Sequence, residues 1–208
     1  MSSNSGFTAA IWSFVERLSS QVVSFGIGII LARLLDPYDY GVIGLTAIFI
    51  ALSNVFIDAG FANALIRNQH RTEKDLSTAF YFNVVIGVLV YSLLWTSTPL
   101  IANWFKEPLL IPLLKIVGLN VVLNSLCIVQ TAILTAKLNI RLQTIINLSA
   151  QIPAGVIAVL MAYRGMGVYS LAMQTVLSSL IKVVLFWIFA KWFPKERFSK
   201  GAFLELWN

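Results

Sequence analysis

The stretch Gly167–Trp192, GVYSLAMQTVLSSLIKVVLFWIFAKW, decides the fold class of this chain. It is long enough at about 1.5 Å per residue to cross a hydrocarbon layer roughly 30 Å thick. It also holds one charge in its interior, Lys182, nine residues before Lys191. A cation at the centre of a membrane helix costs about 3 kcal/mol even on lenient insertion scales. A pathway for an anionic substrate is one of the few common compensations, so the remaining chain is read against that requirement.

Working outward, similar apolar runs recur. The 208 residues are 58% hydrophobic and 12% charged, with a mean hydropathy of +0.82. Soluble domains carry about a quarter charged residues. Six spans follow, at about 9–35, 40–66, 77–102, 109–136, 142–163 and 167–192. They are separated by breakers and charges such as Asp36-Pro37-Tyr38-Asp39 and Lys106-Glu107-Pro108. The runs lack the ten-residue alternation of a membrane β-barrel. The chain therefore reads as an all-α integral membrane protein, a bundle of six transmembrane helices over 1–193.

Residues 194–208, after Trp192 and Phe193, read as a cytoplasmic basic linker and the start of a truncated seventh helix. The N-terminal segment has no basic leader region, and Glu16 and Arg17 interrupt its apolar stretch, so the first span is expected to be retained. Basic residues alternate between loops. Arg67, Arg71, Lys74, Lys137, Arg141, Lys191, Lys195, Arg197 and Lys200 follow the even-numbered spans, against Arg33, Lys106 and Arg164, with Lys115 just inside span four. That asymmetry predicts a cytoplasmic N-terminus. It also explains the net charge of +6 without a nucleic-acid partner. Cys127 is the single cysteine and His70 the single histidine, so no disulfide framework, metal site or other cofactor is expected.

Depth gives a second pattern. Arg17, Asp58, Asn83, Cys127, Gln151 and Lys182 each lie nine or ten residues from the same boundary of their spans, about 14 Å in. Spacings of three and four align Ser13, Arg17, Ser20, Ser24 and Gly28 with Gln21 beside them, then Gly44, Ala47, Ala51, Asn54 and Asp58. Later stripes are Asn120, Asn124, Cys127 and Thr131, then Asn147, Gln151, Ala154 and Ala158, then Gln174, Ser178 and Lys182. Two readings of the stripes stand: close helix packing through small and amide side chains, or the wall of a watered cavity. For the charges, Asp58 either pairs structurally with Arg17 or Lys182, or all three line that cavity. Two cations, one acid and several amides suit a phosphate-bearing, hydroxyl-rich ligand. Pro153 predicts a bend in span five, static or gating. The turns before spans two and six share a Gly-Val-x-x-Leu pattern, loose enough to be an internal repeat or coincidence.

Four segments resemble one family. Ile30–Gly41, ILARLLDPYDYG, looks like the signature between the first two helices of Wzx-type polysaccharide flippases. Phe56–Arg67, FIDAGFANALIR, resembles the end of their second helix. Asp75–Asn83, DLSTAFYFN, is similar to the start of helix three in the lipopolysaccharide and teichuronic acid exporter branch, and Gly165–Leu171 to the start of helix six. The family falls in the multidrug, oligosaccharidyl-lipid and polysaccharide exporter superfamily. The resemblance implies two bundles of six helices around a central cavity that work by alternating access. They flip undecaprenyl-pyrophosphate-linked oligosaccharides across the bacterial inner membrane for surface polysaccharide biosynthesis.

This chain would supply the N-terminal lobe of such a two-lobe flippase, a partial transporter by itself. Partners would be the lipid-linked oligosaccharide, the bilayer and polysaccharide polymerase or assembly proteins. Arg17 and Lys182 would attract pyrophosphate or acidic sugars. Asp58, Asn54, Asn124, Gln151 and Gln21 would bind sugar or tune cavity charge, and Asp58 or Glu16 would couple an ion gradient. No catalytic residue is expected. An ion-coupled drug or solute exporter of the same superfamily and a non-transporting scaffold of a polysaccharide assembly complex are the alternatives.

Overall fold

The computed structural model describes residues 3–57, 72–199 and 201, with side chains described from residue 11 onward except at 13 and 16. Among these residues there are helices and no strands. They are α1 (Ser3–Leu34), α2 (Pro37–Ile57), α3 (Glu73–Phe105), α4 (Leu110–Ser125), α5 (Ile128–Ala136), α6 (Ile140–Tyr163) and α7 (Val168–Ala190). Five are long and apolar enough to cross a membrane alone, and the bent pair α4–α5 has the length and composition of a sixth span if it is taken as one. The chain is an all-α, multi-pass membrane protein.

Local chemistry sets several helix ends. Thr72 caps α3, its hydroxyl accepting from the Asp75 N–H at 3.3 Å while the Asp75 carboxylate accepts from the Thr72 N–H at 2.7 Å. Asn139 caps α6 by accepting from the Leu142 N–H at 3.3 Å. Glycine is required at Gly167, the N-cap of α7, where φ is 54°.

α6 lies between α1 and α7, and α4 links α7 to α3 and α2. One core joins Val42 of α2, Leu94 and Ala102 of α3, Leu113 and Val117 of α4 and Ala172 of α7. A second packs Leu31 of α1 against Ala158 and Ala162 of α6 and Leu171 of α7. Elsewhere large apolar side chains point outward, with Leu93 68% and Leu100 73% exposed, as lipid-facing positions require. Small residues let α1 approach α6. A Cβ on Gly155 would land on the side chain of Ile27. α6 itself runs unbroken through Pro153.

The fourth apolar run is divided: α4 and α5 meet at a 44° bend. The Cys127 N–H turns back to the Asn124 carbonyl at 2.9 Å, and the indole of Trp187 in α7 donates to the Leu126 carbonyl at 3.2 Å. An interior carbonyl that no helical N–H would serve in lipid is thus satisfied by a neighbouring helix. Across from the bend, α3 comes close at Gly87, where a Cβ would sit 2.7 Å from the Ser125 hydroxyl.

The turn between α1 and α2 is tied to both other turns at that end of the bundle. The Tyr38 hydroxyl donates to Glu107 in the α3–α4 turn. The Asp39 carboxylate lies beside Gly167, 3.5 Å from where a Cβ would stand. At the opposite end, Arg141 of α6 lies over the Trp12 ring of α1, 5.3 Å from its centroid.

Two wholly buried amides, Asn83 in α3 and Gln130 in α5, have no hydrogen-bond partner among the described residues for either polar atom. Such groups cost about 1–3 kcal/mol each, so near-isosteric apolar replacement is neutral or stabilising. Asn83→Leu is accordingly expected to hold or raise the melting temperature of the purified protein. A fall of more than a few degrees would show that the amide is bonded in the membrane.

Candidate functional site

α1, α6 and α7 line an open cavity of about 460 Å³ near the middle of these helices. α1 contributes Ser20 and Ser24, α6 contributes Asn147 and Gln151, and α7 contributes Gln174, Thr175, Ser178, Ser179 and Lys182. Every described lining side chain is polar, and Lys182 is the only charged one among them. A wall of this kind inside membrane-crossing helices is costly unless water or a polar ligand fills it.

Each helix presents these groups for a simple reason. On α7, positions 174, 175, 178, 179 and 182 fall on one face two residues wide. On α6, Asn147 and Gln151 are one turn apart, above Ala154 and Ala158, whose small side chains serve the α1 contact. Gln151 crosses the seam, donating to the Ser24 hydroxyl and to the Ser20 carbonyl at 3.4 Å. Behind α7, the Asn120 amide of α4 donates to the Thr175 hydroxyl at 3.2 Å, which donates to the Ala172 carbonyl at 2.8 Å.

Lys182 is half-buried. Its ammonium lies 5.9 Å from the Phe186 ring centroid, the outer limit of a cation–π contact. Phe186 belongs to a small core with Cys127, Leu134 and Ile146, which backs the lysine from α5 and α6. Among the described residues no acidic side chain lines the cavity. The site can therefore attract one negative charge and hydrogen-bond to several neutral groups around it. Within the described residues no cluster of histidine, cysteine or carboxylate side chains could hold a metal.

Of the residues singled out from the sequence, the structure brings Lys182 and Gln151 into this cavity. Arg17 and Gln21 are exposed on α1; Arg17 is three residues before Ser20, and neither lines the cavity. Asn54 is half-buried on α2, and Asn124 is half-buried at the last turn of α4 beside the bend, both outside the lining. Asp58 lies outside the described residues, as does the side chain of Glu16. Thr175 and Ser179 line the cavity without belonging to any stripe read from the sequence. Their signal was adjacency, since each follows a stripe member by one residue on α7.

A helical membrane bundle with a polar, singly charged cavity among three of its helices is the frame into which the comparisons fit. Residues 30–208 match the family described as polysaccharide biosynthesis protein, and the chain belongs to that family. It is 25% identical over 195 residues to the succinoglycan biosynthesis transport protein ExoT of Rhizobium meliloti, covering 94% of this chain and 40% of that protein. It is 24% identical over 203 residues to the lipopolysaccharide biosynthesis protein WzxC of Escherichia coli, covering 96% and 40%. To the teichuronic acid biosynthesis protein TuaB of Bacillus subtilis it is 25% identical over 162 residues, covering 73% and 34%. The chain thus spans about two fifths of the length of these curated relatives. No solved structure gives a significant match.

Proposed function

We propose that this chain is the N-terminal six-span lobe of a flippase that moves lipid-linked oligosaccharides to the outer leaflet for surface polysaccharide assembly. The observation that carries this reading is the all-polar cavity around Lys182, set inside membrane-crossing helices of a chain from a polysaccharide biosynthesis family. Lys182 attracts an anionic group of the substrate, a phosphate or an acidic sugar. The amides and hydroxyls of Gln151, Gln174, Ser24 and Ser178 exchange hydrogen bonds with glycan hydroxyls. No bond is made or broken in such a step, so the lobe acts as a binding wall and not as a catalyst.

In this reading residues 1–193 form the lobe and 194–208 lead toward a second one. The two lobes open alternately to either side of the inner membrane, with the N-terminus in the cytoplasm. Arg17 guides anions toward the cavity from one turn away, and Asp58 or Glu16 takes the coupling proton or ion. Asn54, Asn124 and Gln21 meet the substrate as the lobes move. The undecaprenyl-pyrophosphate carrier and polymerase or other assembly proteins complete the partners.

The test is complementation. The full-length gene, expressed in a flippase-deleted strain, is expected to restore surface polysaccharide and clear accumulated lipid-linked repeat units. Unchanged accumulation at normal membrane levels of the protein would sink the proposal. Efflux of small amphipathic cations instead would point to a drug exporter.

A further inference from the structure

We infer that residues 191–199 form a preorganised docking strip for anionic phospholipid headgroups. Lys191 adopts a left-handed backbone (φ 50°) that ends α7 and turns the chain across the first turns of α3. Trp192 is buried there, its indole donating to Glu73 at 3.1 Å. The Glu196 N–H donates to the Ser77 hydroxyl at 3.3 Å, and the Ser199 N–H to the Thr78 hydroxyl at 3.1 Å. Ser77 and Thr78 are wholly buried, so packing holds both acceptors in place. Phe193 stands edge-on against Trp187, ring centroids 5.3 Å apart.

What this fixed backbone turns outward is two aromatics, two cations and one acid: Phe193, Lys195, Glu196, Arg197 and Phe198 are all exposed. Lys191 and Lys74 flank them, also exposed, and Glu196 is the one acid within 191–199. The strip begins one residue after α7 ends, the level at which a membrane helix meets headgroups. Arginine matches phosphate oxygens bidentately and lysine adds a point charge. An aromatic ring beside them favours the interface. Charge alone would serve orientation equally well from a mobile loop. The backbone bonds and the stacked Phe193 instead hold the cations in place before a lipid arrives, which reduces the ordering cost of binding.

The experiment uses the purified 208-residue protein in mild detergent, titrated with phosphatidylglycerol or phosphatidylcholine and read by native mass spectrometry. Wild-type protein is expected to retain phosphatidylglycerol preferentially. Lys195→Gln/Arg197→Gln is expected to reduce that preference about thirtyfold, the scale of two basic residues near anionic lipid. Lys137→Gln/Arg141→Gln, which removes two charges at the same end of the bundle, is expected to leave most of it. Ser77→Ala/Thr78→Val keeps every charge and frees the backbone, and should also reduce the preference. Full preference after loss of Lys195 and Arg197 would overturn the proposal, as would equal loss from the Lys137/Arg141 pair. So would no change in a folded Ser77/Thr78 variant, because the strip would then act by charge density alone.

Discussion

Lys182→Leu in the full-length protein is expected to abolish surface polysaccharide export while leaving the membrane level of the protein equal or higher. The two effects have opposite signs for one reason. A cation near mid-membrane costs about 3 kcal/mol relative to an apolar residue, less where water reaches it, so replacing it removes a penalty. The same replacement removes the one cation that lines the cavity among the described residues. An anionic substrate then meets only neutral donors, and charge-assisted hydrogen bonds are about twice as strong as neutral ones. At about 1.5–3 kcal/mol for the lost bonds, affinity falls roughly 10- to 150-fold. Lys182→Arg should retain much of the export. Export is read as surface polysaccharide and stability as the detergent melting temperature. A large loss of stability in Lys182→Leu would instead identify Lys182 as half of a structural ion pair.

Gly155→Leu is expected to fail in both respects. α1 is the least embedded helix, with 6% of its Arg17–Leu34 window buried, and it is held chiefly along α6. At Gly155 the Ile27 side chain of α1 lies against the α6 backbone, and even a Cβ there would collide with it. Overpacking costs about 1–3 kcal/mol in a tight core, and here little else resists the separation of α1. Displacing α1 removes Ser20 and Ser24 from the cavity and breaks both Gln151 bonds. The melting temperature should fall by several degrees and export should be lost, with Gly155→Ala intermediate. A wild-type melting temperature in the leucine variant would show that α1 is anchored elsewhere.

The all-helical membrane class was legible because apolar length and loop charges encode it directly. The bend at Leu126 and Cys127 was not, because neither proline nor glycine marks it. It depends on a Trp187 indole 61 positions away. Residues 194–199, docked on α3, read as part of the basic linker 194–208 for the same reason: their partners Ser77 and Thr78 are about 120 residues distant. Within the candidate site, the polar positions along each helix were readable and the convergence of the helix faces was not. Residues at equal depth on different helices share a cavity only if their faces converge. Lys182 and Gln151 converge with α1, whereas Asn54 and Asn124 lie on other helices and outside that lining.

The seam between α1 and α6 also sets a timetable for biogenesis. Ser24 and its partner Gln151 are 127 residues apart in the chain. At a synthesis rate of about 5–20 residues per second, roughly 6–25 seconds pass between their appearance at the ribosome. Throughout that interval α1 has been made and α6 has not. Its serine face and Arg17 must wait in the insertion machinery, at the headgroup level or against another helix. α1, made well before α6, is therefore seated only once α6 has emerged.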